Sequence, residues 1–472
     1  MTAAAVQPDF KHRTKAALAD ATLKVAIDRT TGTAEKKRAA ALAVFPEFDA
    51  ARARGRAIKD HVIANLDHYL ETFERNATAA GATVHWAATD AEACEIVVRL
   101  CREAGAKRVT RSKSMLGEEI GLPDALAAAG IERVETDLAE HIIQLAGEHP
   151  SHIIWPAMHR TREQVAVLFK ADHNPPPDAE DPASMVQSAR RVLRKKFLTA
   201  DVGISGANFL VADTGATCTV TNEGNAELTT TPPRVHIVTA GIEKIVPTTA
   251  HAVALLRLLV RSATGGEMTQ YTTFHHGPKR PGDADGPEEM HIVLVDNGRS
   301  RMIADEFREM LRCIRCGACM NHCVVYRQIG GHAYGGTYPG PMGAVLTPVL
   351  DGLAQSRDLP FACTMNGRCA EVCPVQIPLP MLLRAWRGRS WREGLEPRAM
   401  KVGLGLWATV ARRPALYRLA STAGTRMLRL LGRSGWIRSL PLAGGWTDHR
   451  DLPSPTGGTF MERYRTERRN GR

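Results

Sequence analysis

Seven of the ten cysteines lie between 313 and 373, and their spacing constrains this chain more than any other feature. The stretch "CIRCGACMNHC" places Cys313, Cys316, Cys319 and Cys323 at C-x2-C-x2-C-x3-C. Thiolates two residues apart on a tight turn converge on three irons of one cubane. The small residues Gly317 and Ala318 let the backbone wrap such a cluster. The fourth cysteine, three residues on, serves the other cluster of a pair. Zinc ribbons instead use two separated C-x2-C pairs, often with histidine, so His322 reads as a neighbour, not a ligand. The other three cysteines, Cys94, Cys101 and Cys218, are isolated and read as small core residues.

A second stretch, "CTMNGRCAEVCP" (363–374), nearly repeats the first, with Asn366 where a cysteine would complete the pattern. The spacing predicts that Cys373, followed by Pro374, joins Cys313, Cys316 and Cys319 in one [4Fe–4S] cluster. Cys323 then joins Cys363 and Cys369, and Asn366 takes the fourth position. The pattern C-x5-C-x3-C-P resembles the iron–sulfur subunit of succinate dehydrogenases, where a residue other than cysteine at that position accompanies a [3Fe–4S] cluster. The competing reading is a [4Fe–4S] cluster with one non-thiolate ligand, which could be Asn366, water or a partner group. About 40 residues separate the half-motifs, too many for a compact bacterial ferredoxin, so a helical two-cluster module is expected.

Ahead of the cysteines the pattern is different. Residues 1–75 read as a helical segment with apolar residues at helical spacing. Residues 76–302 alternate short apolar strands with helices, among them "ATVHWAA", "SHIIWPAM", "RVHIVTAGI" and "EEMHIVLVDNG". Near-continuous apolar strands alternating with helices predict an α/β domain with a mostly parallel sheet. Residues 303–395 are assigned to the helical iron–sulfur domain and 396–472 to a basic tail. The stretch 444–460 reads as extended and partly disordered.

Charge is concentrated in that tail. The net charge is +11, yet residues 381–472 hold 19 Lys and Arg against 6 Asp and Glu. The rest of the chain is therefore close to neutral. Such a tail suits an acidic partner protein, anionic lipid or nucleic acid, or is a solvated surface. It shows no recognition helix, which argues against nucleic acid. No apolar run approaches a membrane span, and the start has no signal-peptide architecture, so a cytoplasmic location is expected.

Further stretches resemble the lactate utilisation protein B family of iron–sulfur proteins. They are "SKSMLGEEIGL" (112–122), "VETDLAEHIIQLAGEHPSHIIWPAMHRTREQVAVLF" (134–169), "ADTGATCTVTNEGNAELTTTPPRVHIVTAGIEKIVPT" (212–248), "DNGRSRM" (296–302) and "GGHAYGGTYPGPMGAVLTP" (330–348). The resemblance implies an N-terminal lactate-utilisation domain related in fold to sugar-phosphate isomerases and CoA transferases. It also implies a C-terminal two-cluster ferredoxin-type domain. Members look like one subunit of a three-protein cytoplasmic system oxidising L-lactate to pyruvate. The partners implied are a cysteine-rich subunit and a second protein with the lactate-utilisation domain. Members often carry cysteine where this chain has Asn366, which bears on the type of the second cluster.

Within the α/β domain, "TNEGN" (221–225) has the composition of a strand-end loop. Glu223 there is a candidate acid/base or anchoring carboxylate, or a turn carboxylate capping a helix. In the fold that the resemblance implies, strand-end Gly loops cradle anionic groups, so a carboxylate or phosphate ligand is expected near Gly215, Thr221 and Asn225, and His332 and Tyr334 lie beside a Gly-rich backbone. No G-x-G-x-x-G follows a strand, so no nicotinamide or flavin fold is supported. The expected function is an iron–sulfur electron-transfer subunit of an L-lactate-oxidising complex; whether the chain is itself an enzyme is left open. The alternatives are the iron–sulfur subunit of a glycolate-type oxidase and a redox-responsive regulator whose tail binds nucleic acid.

Overall fold

The computed structural model describes residues 9–440, 444–447 and 450–471. Ten strands build the part before the cysteines. They are β1 (Thr83–Ala87), β2 (Arg108–Arg111), β3 (Glu132–Glu135), β4 (Val202–Gly206), β5 (Phe209–Val211), β6 (Ala216–Thr221), β7 (Val235–Gly241), β8 (Ile245–Val246), β9 (Tyr271–His275) and β10 (Glu289–Val295). Six form one sheet in the order β1-β10-β7-β4-β2-β3, and every neighbouring pair is parallel. The remaining four make a small mixed sheet, β8-β5-β6-β9.

The parallel sheet is buried on both faces because its strands are apolar at consecutive positions. Ile237, Val293 and Val295 pack with Val97, Val109 and Ile204 on one face. Val238, Ile292 and Leu294 pack with Val62 and Phe73 on the other. Side chains alternate along a strand, so two interleaved apolar sets produce two cores. Cys101 and Cys218 are buried in this region, and Cys94 is half-buried with its thiol on the Ile120 carbonyl.

One expected strand is absent. "SHIIWPAM" is a loop, because its backbone bonds locally. Ser151 N–H donates to the Pro156 carbonyl, and the Ile154 and Trp155 N–H groups donate to His152 Nδ1. Those donors and acceptors are thereby taken from any sheet ladder.

Four N-terminal helices, Phe10–Ala19, Ala21–Ala43, Phe48–Ala64 and Leu66–Ala79, precede the sheet. They also hold the cysteine region. Arg38 donates to the Val372 carbonyl (3.0 Å), Arg52 to the Cys373 carbonyl (2.9 Å) and Arg13 to the Ala333 carbonyl (3.1 Å). After the cysteines, the helix Leu379–Arg392 returns over the region. Trp386 stacks on Phe307 at 3.8 Å and donates to the Val345 carbonyl.

The chain divides into two compact units, the second beginning at Glu393. Within that second unit the helices Arg398–Ala411 and Pro414–Leu431 bury no residue. Leu406, Trp407, Leu419 and Leu430 are exposed on them. The stretch 444–460 contains one helical turn, Gly444–Thr447, and a short strand, Leu452–Pro453; residues 448–449 lie outside the described residues. Among the described residues no helix is long and apolar enough to cross a membrane.

Candidate functional site: paired cysteine half-motifs beside a strand-end cavity

The two half-motifs have the same backbone. Each follows a 3-10 turn, Arg308–Arg312 or Leu359–Phe361. Each then has a non-glycine residue with positive φ, Arg315 (61°) or Met365 (60°), and a left-handed glycine, Gly317 (73°) or Gly367 (84°). A one-turn helix follows, Ala318–Asn321 or Arg368–Glu371. Left-handed geometry is costly outside glycine, so its recurrence at matching positions marks a specified loop. The loops aim N–H groups at sulfur. Arg315 N–H donates to Cys313 Sγ (3.5 Å), and Met365 N–H donates to Cys363 Sγ (3.3 Å). Tyr326 N–H reaches Cys323 Sγ (3.5 Å), and Ile377 N–H reaches Cys373 Sγ (3.3 Å).

Cys313, Cys316, Cys319 and Cys373 line one small enclosed cavity with Ile153 and Met342. Cys323, Cys363 and Cys369 form the other set, near enough for the charge of each to bear on its neighbours. Burial pushes the Cys316 and Cys319 thiols well up, and nearby thiols add to the rise. Cys369 is pushed up to about 12 by burial and then by Cys323 and Cys363. Thiols this crowded and buried become thiolates only where a cationic centre compensates them. Buried sulfurs ringing a cavity, with backbone N–H groups directed at them, fit an iron–sulfur cluster.

Asn366 is exposed on the second loop. Its Oδ1 accepts the Arg368 N–H at 3.1 Å. In the first loop the matching N–H, from Ala318, is directed at Cys316. The carboxamide oxygen thus takes the thiol's place as acceptor.

A larger cavity of about 490 Å³ opens at the C-terminal ends of β2, β4 and β7, where parallel sheets place ligands. Ile153 lines both cavities. Arg315, lying between Cys313 and Cys316 in sequence, also lines the larger one. Its guanidinium reaches Glu243 (3.4 Å) and lies 4.5 Å from the centre of the Tyr338 ring. Glu243 also binds Arg299 Nε (2.6 Å), and its carbonyl accepts from Lys59. Arg299 makes a two-pronged pair with Glu119, both contacts at 2.8 Å, and Tyr338 OH donates to Glu119 at 2.6 Å. Burial raises the Glu243 carboxyl, but Arg299, Arg315 and Lys244 outweigh it and hold it at about 2. Burial, followed by repulsion from Arg315, lowers Lys244 to about 8.

Three family models match this chain. The LUD domain covers residues 70–295, a 4Fe-4S dicluster domain covers 309–377, and the C-terminal region of lactate utilisation protein B covers 388–469. Lactate utilization protein B of Bacillus licheniformis is 40% identical over 98% of this chain and 97% of its own.

The chain belongs to the lactate utilization protein B family.

An uncharacterized electron transport protein of Escherichia coli K12, YkgF, is 40% identical over 98% of both chains. A duf162 family protein from Deinococcus radiodurans, known from a crystal structure, aligns with 49% of this chain at 14% identity. The alignment spans 98% of that protein, with a TM-score of 0.29.

Of the candidate residues in the α/β domain, Thr221, Glu223 and Asn225 line the larger cavity. Gly215 does not. It turns between β5 and β6 against Asn76 and Ala77, with no room for a side chain. Glu223 accepts from Thr221 and from Asn222 N–H, as a turn carboxylate does. His322 bonds the Ala318 carbonyl, and His332 bonds the His149 carbonyl. Tyr334 is buried close to Cys323, and its hydroxyl makes no hydrogen bond among the described residues.

Sequence patterning does not mark Glu119, Glu243, Arg299, Arg315 or Tyr338 as site residues. The first three and Tyr338 lie in the stretches that carry the family resemblance, far apart in sequence. A charged residue at the end of an apolar strand is the one signal available. Patterning does not mark His152 either: its Nε2 contacts Asn321 of the first half-motif at 3.1 Å, and its ring packs over Gly317.

Proposed function

We propose that this chain is the iron–sulfur electron-transfer subunit of a cytoplasmic complex that oxidises L-lactate to pyruvate. What supports the reading is one juxtaposition within a lactate utilization protein B relative: the four-thiol cavity shares a wall with a strand-end cavity large enough for a substrate. On this reading Cys313, Cys316, Cys319 and Cys373 hold one [4Fe–4S] cluster. Cys323, Cys363 and Cys369 hold a second, with Asn366 in the fourth position. When bound, such clusters take and release one electron at a time.

The chain's own residues supply the surroundings. Burial of Cys316, Cys319 and Cys373 keeps water from the first thiol set. The N–H groups of Arg315 and Ile377 stabilise negative charge on its sulfurs. Arg315 ties that loop to Glu243 at the end of β7. The reading divides the chain into a helical segment (1–75), the lactate-utilisation domain (76–302), the iron–sulfur domain (303–395) and a basic docking tail (396–472). The partners are a cysteine-rich subunit and a second lactate-utilisation-domain protein.

The test is to purify the complex without oxygen and add L-lactate or glycolate. Lactate should bleach the iron–sulfur absorbance and glycolate should not. Bleaching by glycolate alone would move the reading to a glycolate-type oxidase. Bleaching by neither would remove it.

A further inference from the structure

We infer that the strand-end cavity of this chain is itself a binding site for a 2-hydroxy carboxylate, with Lys244 and Ser112 as anchors for its anionic end. This rests on the proposed function only in the choice of acid; the cavity's chemistry stands apart from it.

Charge comes first. Lys113, Lys244, Arg299 and Arg315 line the cavity with Asp137, Glu223 and Glu243, and behind them Lys59 bonds the Glu243 carbonyl and Glu119 pairs with Arg299. Five cations against four carboxylates leave a surplus of one, and Asp137 and Glu223 are each already engaged by backbone N–H groups of their own turns. Unpaired charge in a region largely removed from water is costly. Arg299 is saturated by its two carboxylates. Lys244 is not: its ammonium has no hydrogen-bond or ion-pair partner among the described residues, and it lines the cavity. Arg315 has a single carboxylate contact for its five donors. A loaded cluster beside Cys313 is also negative and takes part of the surplus. It does not account for the β2 wall.

That wall holds the second observation. Ser112 follows β2, is 3% exposed and lines the cavity. Its hydroxyl has no hydrogen-bond partner. A buried hydroxyl without a partner carries a desolvation cost that a ligand oxygen would remove. Thr221 and Asn225 line the same cavity, polar enough to meet a substrate hydroxyl. Leu116, Ile142 and Leu259 supply apolar lining. An anionic end, a polar end and an apolar body describe a hydroxy acid. About 490 Å³ exceeds a three-carbon acid, so such a ligand sits with ordered water.

The test is calorimetric binding to the full chain, purified without oxygen and with its clusters loaded. The probes are L-lactate, glycolate and inorganic phosphate. L-Lactate should bind, and phosphate should not displace it. Lys244→Gln should weaken lactate binding at least tenfold, and Lys244→Arg should restore most of it. Ser112→Ala should weaken binding several-fold. Iron content and visible spectrum must match wild type in each variant, which excludes misfolding as the cause. Lactate binding unchanged in Lys244→Gln overturns the proposal. So does binding of phosphate with no competition from lactate. If the isolated chain binds no hydroxy acid while the complex is still reduced by lactate, this site is refuted and the electron-transfer reading stands.

Discussion

Asn366 holds in the second half-motif the position that Cys316 holds in the first. The backbones match through the preceding positive φ and the following left-handed glycine. The N–H two residues on meets the Asn366 oxygen in one loop and Cys316 in the other.

A neutral carboxamide already engaged by a backbone N–H is a poor ligand for iron that prefers thiolate. Wild-type protein purified without oxygen should therefore hold about 7 irons per chain and show a three-iron resonance. Asn366→Cys should raise the content to about 8 and lower that site's potential, because a fourth thiolate adds negative charge. Iron analysis and electron paramagnetic resonance check this. Equal iron and equal spectra in the two proteins would mean that Asn366 does not limit the cluster.

Cys373 lines the cavity of Cys313, Cys316 and Cys319. Cys373→Ser should thus damage the first cluster and lose about half the iron or more, although Cys369 lies only four residues away and belongs to the other set. The signal of the second cluster should survive best. Loss of only that second signal would show that the half-motifs do not cross.

Tyr334 is buried close to Cys323, and its hydroxyl makes no hydrogen bond among the described residues, which leaves the O–H free to donate to a cluster held there. An O–H donor stabilises the more negative, reduced state of a thiolate-bound cluster. Tyr334→Phe should lower the potential of the second site by on the order of 60 mV, corresponding to about 1.4 kcal/mol. The first site should not move. A redox titration with both sites resolved reads the difference; equal shifts at both sites would point to general loosening instead.

Glu243 is held at about 2, against an ordinary value of 4.5. A depressed carboxyl stabilises the fold above the unfolded-state value and loses that contribution as pH falls from 4.5 towards 2. Up to about 3 kcal/mol is at stake. Glu243→Gln removes the charge between Arg299 and Arg315 and should cost about 3–5 kcal/mol at neutral pH. The gap in unfolding free energy between wild type and variant should narrow steadily below about pH 4.5. A gap that stays constant down to about pH 3 would mean that the carboxylate is not what holds these arginines.

Part of this arrangement is legible in the amino-acid order. Cysteine spacing alone points to two crossed thiol sets, because a one-turn loop limits how far its sulfurs can separate. Consecutive apolar residues in "RVHIVTAGI" and "EEMHIVLVDNG" require strands covered on both faces, and β7 and β10 lie inside the sheet, paired on both edges. "SHIIWPAM" has the same local signature and is not a strand. Its apolar residues serve the cysteine loop, with Ile153 and Ile154 packed on Gly317. Composition reports that a residue is to be buried, but not what buries it.

The sequence by itself determined the cysteine spacing, the alternation of strand and helix, and the basic tail, since each is set by neighbours within a few residues. Tertiary structure alone decided that Glu119, Glu243, Arg299, Arg315 and Tyr338 meet. They come from separate stretches of the chain to one buried point. Gly215 and Thr221, near neighbours in sequence, are separated because β6 carries them to opposite ends of a strand. Buried charge is stable only when paired, and no local pattern names the partner. That pairing is made by the fold, when the ends of β7 and β10 come up against the first cysteine loop.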